Sequence, residues 1–307
     1  MKKTALFLTA AIVLTFKPLS ASAADVPQKA GYEYTIINNE ATVTGFKGEP
    51  LYISLPETVE GCRIVEIRDN AFYECTSLRH IDIPPTVEKI GHHCFYGCSS
   101  LESVTIPDSV TEIGMGCFCG CTALVSAKVP DTVSELPESC FRCCTSLTDF
   151  TVPDKVLSIG DFCFSGCTSL KDITIGSNTA SLGDCSLYMC PELKYVYLPP
   201  SVKDIGVCAV GYAPTENGAS PCESITILGS KDSAARTYAK ENDISFINAD
   251  SAVPAFMIKR VSGQKVPVSV PSVFLICAFL SVTAFFTFTR RKRKHLLKTK
   301  INRILAK

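Results

Sequence analysis

Leu101 to Cys121 reads LESVTIPDSVTEIGMGCFCGC, and this stretch decides the fold. Val104 and Ile106 alternate with Ser103 and Thr105, the period of two expected of a strand that buries one face. Pro107 has no amide hydrogen and ends the ladder. Ser109 to Gly114 (SVTEIG) predicts a second short extended segment, and the CFCGC stretch after it has room for no more than a turn of helix. A step of 23 residues in either direction meets the same pattern again. Prolines stand at 84, 107, 130 and 153, and Gly176 and Pro199 continue the series. Leu78, Leu101, Leu124, Leu147, Leu170 and Leu193 form one column; Phe72, Phe95, Phe118, Phe141 and Phe164, then Leu187 and Val210, form another. Cys75, Cys98, Cys121, Cys144, Cys167 and Cys190 make a third, and Ile90, Ile113, Leu136, Ile159, Leu182 and Ile205 a fourth. Coincident periodicity in so many columns means a solenoid, in which each coil buries its apolar residues against its neighbours.

The unit SL-x-x-I-x-IP-x-x-V-x-x-IG-x-x-CF-x-x-C closely resembles the BspA-like (Treponema-type) leucine-rich repeats of bacterial surface proteins, from about Leu51 to Asn248. The resemblance implies a right-handed repeat solenoid and a role in surface binding or adhesion, while the repeats themselves are scaffold and name no ligand. The fold class expected is therefore α/β: a leucine-rich-repeat solenoid of 23-residue coils, mostly short parallel strands and turns, plus one C-terminal transmembrane helix.

Both ends of the chain depart from the repeat. Residues 1–23 read as a signal peptide, with Lys2 and Lys3, an apolar run from Ala5 to Phe16, and Ala21-Ser22-Ala23 ahead of a cleavage point. Residues 24–50 carry a capping hairpin that turns at Asn38-Asn39, and 51–248 hold the solenoid with its C-terminal cap. Within it, Pro56 and Pro84 are 28 apart, five more than the repeat, and Tyr212 to Glu223 is an insertion rich in turn formers. Lys231 to Asp243 predicts a helix capped by Asp232 or Ser233, between strands ITIL (Ile225 to Leu228) and ISFI. Residues 249–271 form a linker. The run 272–289 is uncharged and apolar for 18 residues, about 27 Å as helix, and reads as the transmembrane helix. Residues 290–307 hold nine Lys/Arg and no acid, which places this tail in the cytoplasm.

The chain has 307 residues, 46% of them hydrophobic, with 30 Lys+Arg against 30 Asp+Glu. That composition excludes an intrinsically disordered chain. The zero net charge hides an asymmetry, because all 30 acids lie between Asp25 and Asp250 beside 15 Lys/Arg, a balance of −15. An acidic ectodomain argues against nucleic acid or anionic lipid as its partner. The expected partners are a protein or glycoprotein ligand and, through the C-terminal helix, the membrane.

Of the 17 cysteines, Cys277 lies in the apolar run and the rest outside it. A secreted chain invites disulfides, yet Cys94/Cys98, Cys117/Cys121, Cys140/Cys144 and Cys163/Cys167 occupy repeat columns beside the phenylalanines. Columns of this kind line a core, where cysteine acts as a small hydrophobe. Cys208 and Cys222 flank the insertion and are the candidate disulfide, and Cys119 and Cys143 stand out of register. His92-His93-Cys94-x-x-x-Cys98 has the ligand types for zinc but not the spacing of a finger, so no metal and no cofactor are expected. Without a phosphate loop, HExxH or GxSxG motif, no catalytic residues are assigned and the chain reads as a non-enzyme.

If the strands alternate as described, two outward rows run along one sheet: His80, Ser103, Ser126, Asp149, Asp172 and Tyr195, and Asp82, Thr105, Lys128, Thr151, Thr174 and Tyr197. These rows are solvated polar positions, or they are the ligand-binding face, with Tyr195 and Tyr197 as its aromatic anchors. Two functions follow, an adhesion-like receptor for protein or glycoprotein at a bacterial surface, or an architectural element of the cell envelope with no host ligand.

Overall fold

The computed structural model describes residues 31–250 except 217 and 223. The signal peptide, linker, apolar run 272–289 and basic tail therefore lie outside the described residues. The chain divides into a leading unit, 1–31, and a second unit beginning at Tyr32 that holds every element below.

That unit is a β-solenoid of about nine coils, which corrects the α/β class expected from sequence. Its one helix among the described residues, Ala234–Glu241, is eight residues long, and no described helix is long and apolar enough to cross a membrane. The 23-residue coil explains the correction, because two strands, two tight turns and their connections leave no length for a crossover helix.

The coils build three parallel stacks. The front ladder holds nine short strands: Tyr52–Ser54, His80–Asp82, Ser103–Thr105, Ser126–Lys128, Asp149–Thr151, Asp172–Thr174, Tyr195–Tyr197, Thr226–Gly229 and Ser245–Asn248. The back ladder runs from Cys62–Ile67 through Lys89–Ile90, Glu112–Ile113, Glu135–Leu136, Ser158–Ile159 and Ser181–Leu182 to Asp204–Ile205. The third stack is a spine of turns. There the amides of Asn70, Phe72 and Glu74 donate to the carbonyls of His92, Cys94 and Tyr96 one coil on, at 2.7–2.9 Å, and every later coil to Cys185 repeats the triplet.

Two left-handed positions per coil bend the chain round that spine. The first column is Asn70, His93, Gly116, Ser139, Phe162, Cys185 and Cys208, and the second Glu74, Gly97, Gly120, Cys143, Gly166 and Met189. Most of these are not glycine, and the cross-coil bonds that their amides donate, Cys208 apart, hold a conformation that is costly for an isolated L-residue.

The core lies between the three stacks. The five column phenylalanines are all 0% exposed and stack nearly parallel, with centroids 5.2–5.5 Å apart and planes within 9°. That spacing tracks the rise of a β-ladder, about 4.8 Å, so the backbone sets the ring separation. Beside them the second cysteine column forms its own ladder: Cys98, Cys121, Cys144, Cys167 and Cys190 donate S–H bonds to the carbonyls of Phe72, Phe95, Phe118, Phe141 and Phe164, at 3.1–3.3 Å. Cysteine fits because it fills apolar volume and still offers a weak donor.

The ends are closed by different devices. Tyr32–Ile37 and Glu40–Phe46 form an antiparallel hairpin with both turn residues, Asn38 and Asn39, at positive φ, and its second strand pairs parallel to Cys62–Ile67. The five extra residues between Pro56 and Pro84 are a small hairpin, Thr58–Val59 against Cys62–Arg63, turning at Glu60 and Gly61. The insertion is ordered likewise, as Tyr212–Thr215 paired antiparallel with Gly218–Pro221. Helix Ala234–Glu241 is capped by Ser233, and its Tyr238 hydroxyl donates to the Val210 carbonyl, which seals the last coil.

Phe118→Ala removes a ring stacked on both sides and should lower unfolding stability by about 3–5 kcal/mol, read from urea denaturation.

Candidate functional site

The registers of the front ladder place the predicted rows side by side. Ser126 stands beside Ser103, Lys128 beside Thr105, Asp149 beside Asp172, Thr151 beside Thr174, and Thr174 beside Tyr197. Inward neighbours Ile81, Val104, Phe150, Ile173 and Val196 are buried, so the row residues point out by strand parity. His80, Asp82, Thr105, Ser126, Lys128, Asp149, Thr151, Asp172 and Tyr195 are exposed, while Ser103, Thr174 and Tyr197 are half-buried. His80 Nε2 meets Asp82 Oδ1 at 2.9 Å along its own strand. Burial, and after it the Asp250 carboxylate, pushes the Tyr197 phenol above its ordinary range.

The rows extend past the residues read from sequence. Tyr52, 60% exposed, precedes His80 in register, so an exposed aromatic stands near each end of the first row, with Tyr195 (48%) at the other. Beyond Tyr195 and Tyr197, the register runs on through Thr226 and Leu228 to Ser245 and Ile247, with Leu228 buried. Tyr52 was missed because the 28-residue first interval takes it off the 23-residue grid.

The face is not uniform. Between Ser126–Lys128 and Asp149–Thr151 the ladder is unpaired, and a groove of about 630 Å³ opens there. Asp108, Lys128, Asp131, Asp149 and Thr151 line it, and Ala127, Pro130 and Phe150 supply apolar wall. The inward column explains the opening. Ala127 leaves space where other coils carry Ile, Val or Phe, and Phe150 turns its ring deep between Phe141 and Phe164, at centroid distances of 5.0 and 4.8 Å. Asp108 and Asp131 belong to the turns after the strands, which strand alternation does not reach.

The remaining candidates resolve into structural roles. His92 Nδ1 accepts the Met115 amide at 2.9 Å, and His93 sits edge-on to Tyr96. Among the described residues, no group of three or more His, Cys, Asp or Glu side chains is placed to hold a metal ion. All the described cysteines are free thiols, including Cys208 and Cys222, the predicted pair. Cys119 and Cys143 lie on the spine face, Cys143 exposed and Cys119 half-buried. There Arg142 stands 5.3 Å from the Phe162 ring centre.

The sequence matches the BspA type leucine rich repeat region in six copies, over residues 65–194 and 137–215. The chain belongs to the BspA-type leucine-rich repeat family. The same fold occurs in a leucine rich cell surface protein from Faecalibacterium prausnitzii A2-165, 23% identical, over 68% of this chain and 72% of that one, with a TM-score of 0.53. A leucine rich repeat protein of T. pallidum is 26% identical over 55% of this chain and 90% of its own, with a TM-score of 0.48. No curated protein matches the sequence.

Burial dominates the thiol chemistry of this BspA-type array. It pushes Cys98 and Cys190 up to about 12 and Cys119 up to about 11, and it holds Cys94, Cys117, Cys121, Cys140, Cys144 and Cys167 well above the ordinary thiol range. The folded state thus keeps protons that the unfolded chain releases above about pH 8.5. Stability is full below that pH and falls as pH rises toward about 12, because the unfolded state then binds fewer protons. Urea midpoints should drop steeply between pH 8 and pH 10.5, and a flat midpoint would remove the thiols from the stability balance. Native alkylation at neutral pH should label Cys143 fastest among the described cysteines, with Cys98, Cys121, Cys144 and Cys167 reacting only after denaturation.

Proposed function

We propose that this chain is a surface-displayed binding module whose front ladder engages a protein or glycoprotein ligand, with no covalent chemistry and no cofactor of its own. The observation that carries the reading is the groove of about 630 Å³ set into the front sheet face. It places Lys128 among Asp108, Asp131 and Asp149 at the middle of rows that bear exposed tyrosines near both ends. Concave polar space on a face that also bears exposed aromatic side chains is the usual equipment of a recognition surface. The acidic balance of the segment from Asp25 to Asp250 disfavours nucleic acid as the ligand. We further propose that the apolar run 272–289 holds the protein to the cell membrane, with the binding face outside and the basic tail in the cytoplasm.

Binding should be screened on immobilised extracellular matrix proteins and glycoproteins. In a ligand-positive assay, Tyr195→Ala combined with Tyr197→Ala should weaken binding about 30-fold, the scale of one aromatic hot spot, with unchanged thermal stability. Lys128→Glu should change the salt dependence of association. Binding that survives all three changes would move the ligand off this face. Capture of envelope components or of the chain itself alone would support the architectural reading instead.

A further inference from the structure

The groove marks one side of a wider fault. Along the back ladder, Gly91, Gly114, Gly160, Gly183 and Gly206 each donate an amide to the strand of the preceding coil, at 2.7–2.8 Å. The residue of that column in the coil 126–148 is Pro137, which has no hydrogen to donate. The column also excludes side chains. A Cβ built on Gly160 would stand 2.5 Å from the Glu138 nitrogen, and one on Gly206 2.5 Å from the Asp184 nitrogen. Pro137 brings such a carbon against the preceding coil, and Glu112–Ile113 and Glu135–Leu136 are left unpaired, splitting the back ladder in two.

A second column fails at the same junction, and again at the next, where Glu138 does not accept the Asp161 amide. Asp69, His92, Asp161 and Asp184 accept the amide of the residue 23 positions on, at 2.6–2.9 Å. Met115 occupies that column opposite Glu138 and has no acceptor of comparable strength. One junction later the back ladder is intact, and the front ladder is open between Ser126–Lys128 and Asp149–Thr151. The front ladder is also unpaired between His80–Asp82 and Ser103–Thr105, but there Glu102 still donates to the Arg79 carbonyl and the back ladder is closed. Across both junctions of the coil 126–148, the spine triplets persist at 2.7–2.9 Å.

We infer that the coil 126–148 is a flexible joint between two stiffer parts of the solenoid. It is bonded to the coil before it through the front ladder and to the coil after it through the back ladder, with the spine common to both. Each junction is open on one side, so the coils rock about the spine as pages do about a binding. Rocking at the second junction widens or narrows the groove. The joint stands on the pattern of bonds, whether or not the groove takes a ligand.

Hydrogen exchange of the wild-type chain, resolved by amide, tests this directly. Val129, Ser134 and Thr148 lack the cross-coil backbone bonds that Val152, Leu157 and Lys171 make in the equivalent columns. They should exchange at least about tenfold faster than those counterparts. Pro137→Gly supplies the missing donor and removes the obstructing carbon, and it should slow the Ser134 amide about tenfold while leaving Thr148 fast. Pro137→Ala supplies the donor but keeps the carbon, so it should recover less of that protection. Equal rates for the two sets in the wild-type chain would overturn the joint, even if a variant folds poorly. So would a Pro137→Gly chain of unchanged melting temperature with unchanged exchange at Ser134.

Discussion

Everything in this solenoid depends on the coil-to-coil backbone hydrogen bond. A parallel ladder fixes neighbouring coils about 4.8 Å apart, and once that rise is fixed, each residue must pack on the residue 23 positions away. Self-compatibility of a column becomes the selection rule for the sequence. Phenylalanine satisfies it by stacking ring on ring, cysteine by passing a weak S–H bond to the carbonyl of the preceding coil, and glycine by letting two backbones approach where no Cβ fits.

This rule says why so much of the fold was legible. Period and column identity depend only on self-packing, which a single sequence displays whenever it repeats. The Asn38-Asn39 pair signals its hairpin just as directly, because both residues tolerate positive φ. Class was harder. The α/β label expected from the sequence counted helix beside the strands, whereas strands and turns fill every coil and the described residues hold one eight-residue helix. The hairpins at Thr58–Val59 and Tyr212–Thr215 also escaped, since short pairs without hydrophobic alternation look like insertions.

The binding face was legible in part. Strand parity alone puts Ser126, Lys128, Asp149 and Thr151 in outward rows. It does not announce a groove, because the groove comes from a mismatch between columns: Ala127 too small, Phe150 folded inward onto two other rings. Asp108 and Asp131 join the site only because the strands part there. Features of function thus lie where the repeat is broken, and a reading that seeks the repeat averages them away.

The same logic separates the two kinds of deviation in this chain. Ala71 and Ser186 replace cysteine in the first cysteine column yet leave the spine bonds in place, since a small buried side chain can change without moving the backbone. Pro137 alters the donor itself, so its effect cannot be absorbed by repacking. Its neighbours compound the loss, with Met115 supplying no strong acceptor at the same junction and Ala127 meeting Phe150 at the next. Random drift in a stack whose stability is a sum over nearest-neighbour interfaces would scatter such losses along its length. Here two of the three open ladder steps among the described strands fall on one coil, on alternate sides, and leave the spine whole, which makes that coil the mechanical weak point and sets the groove beside it.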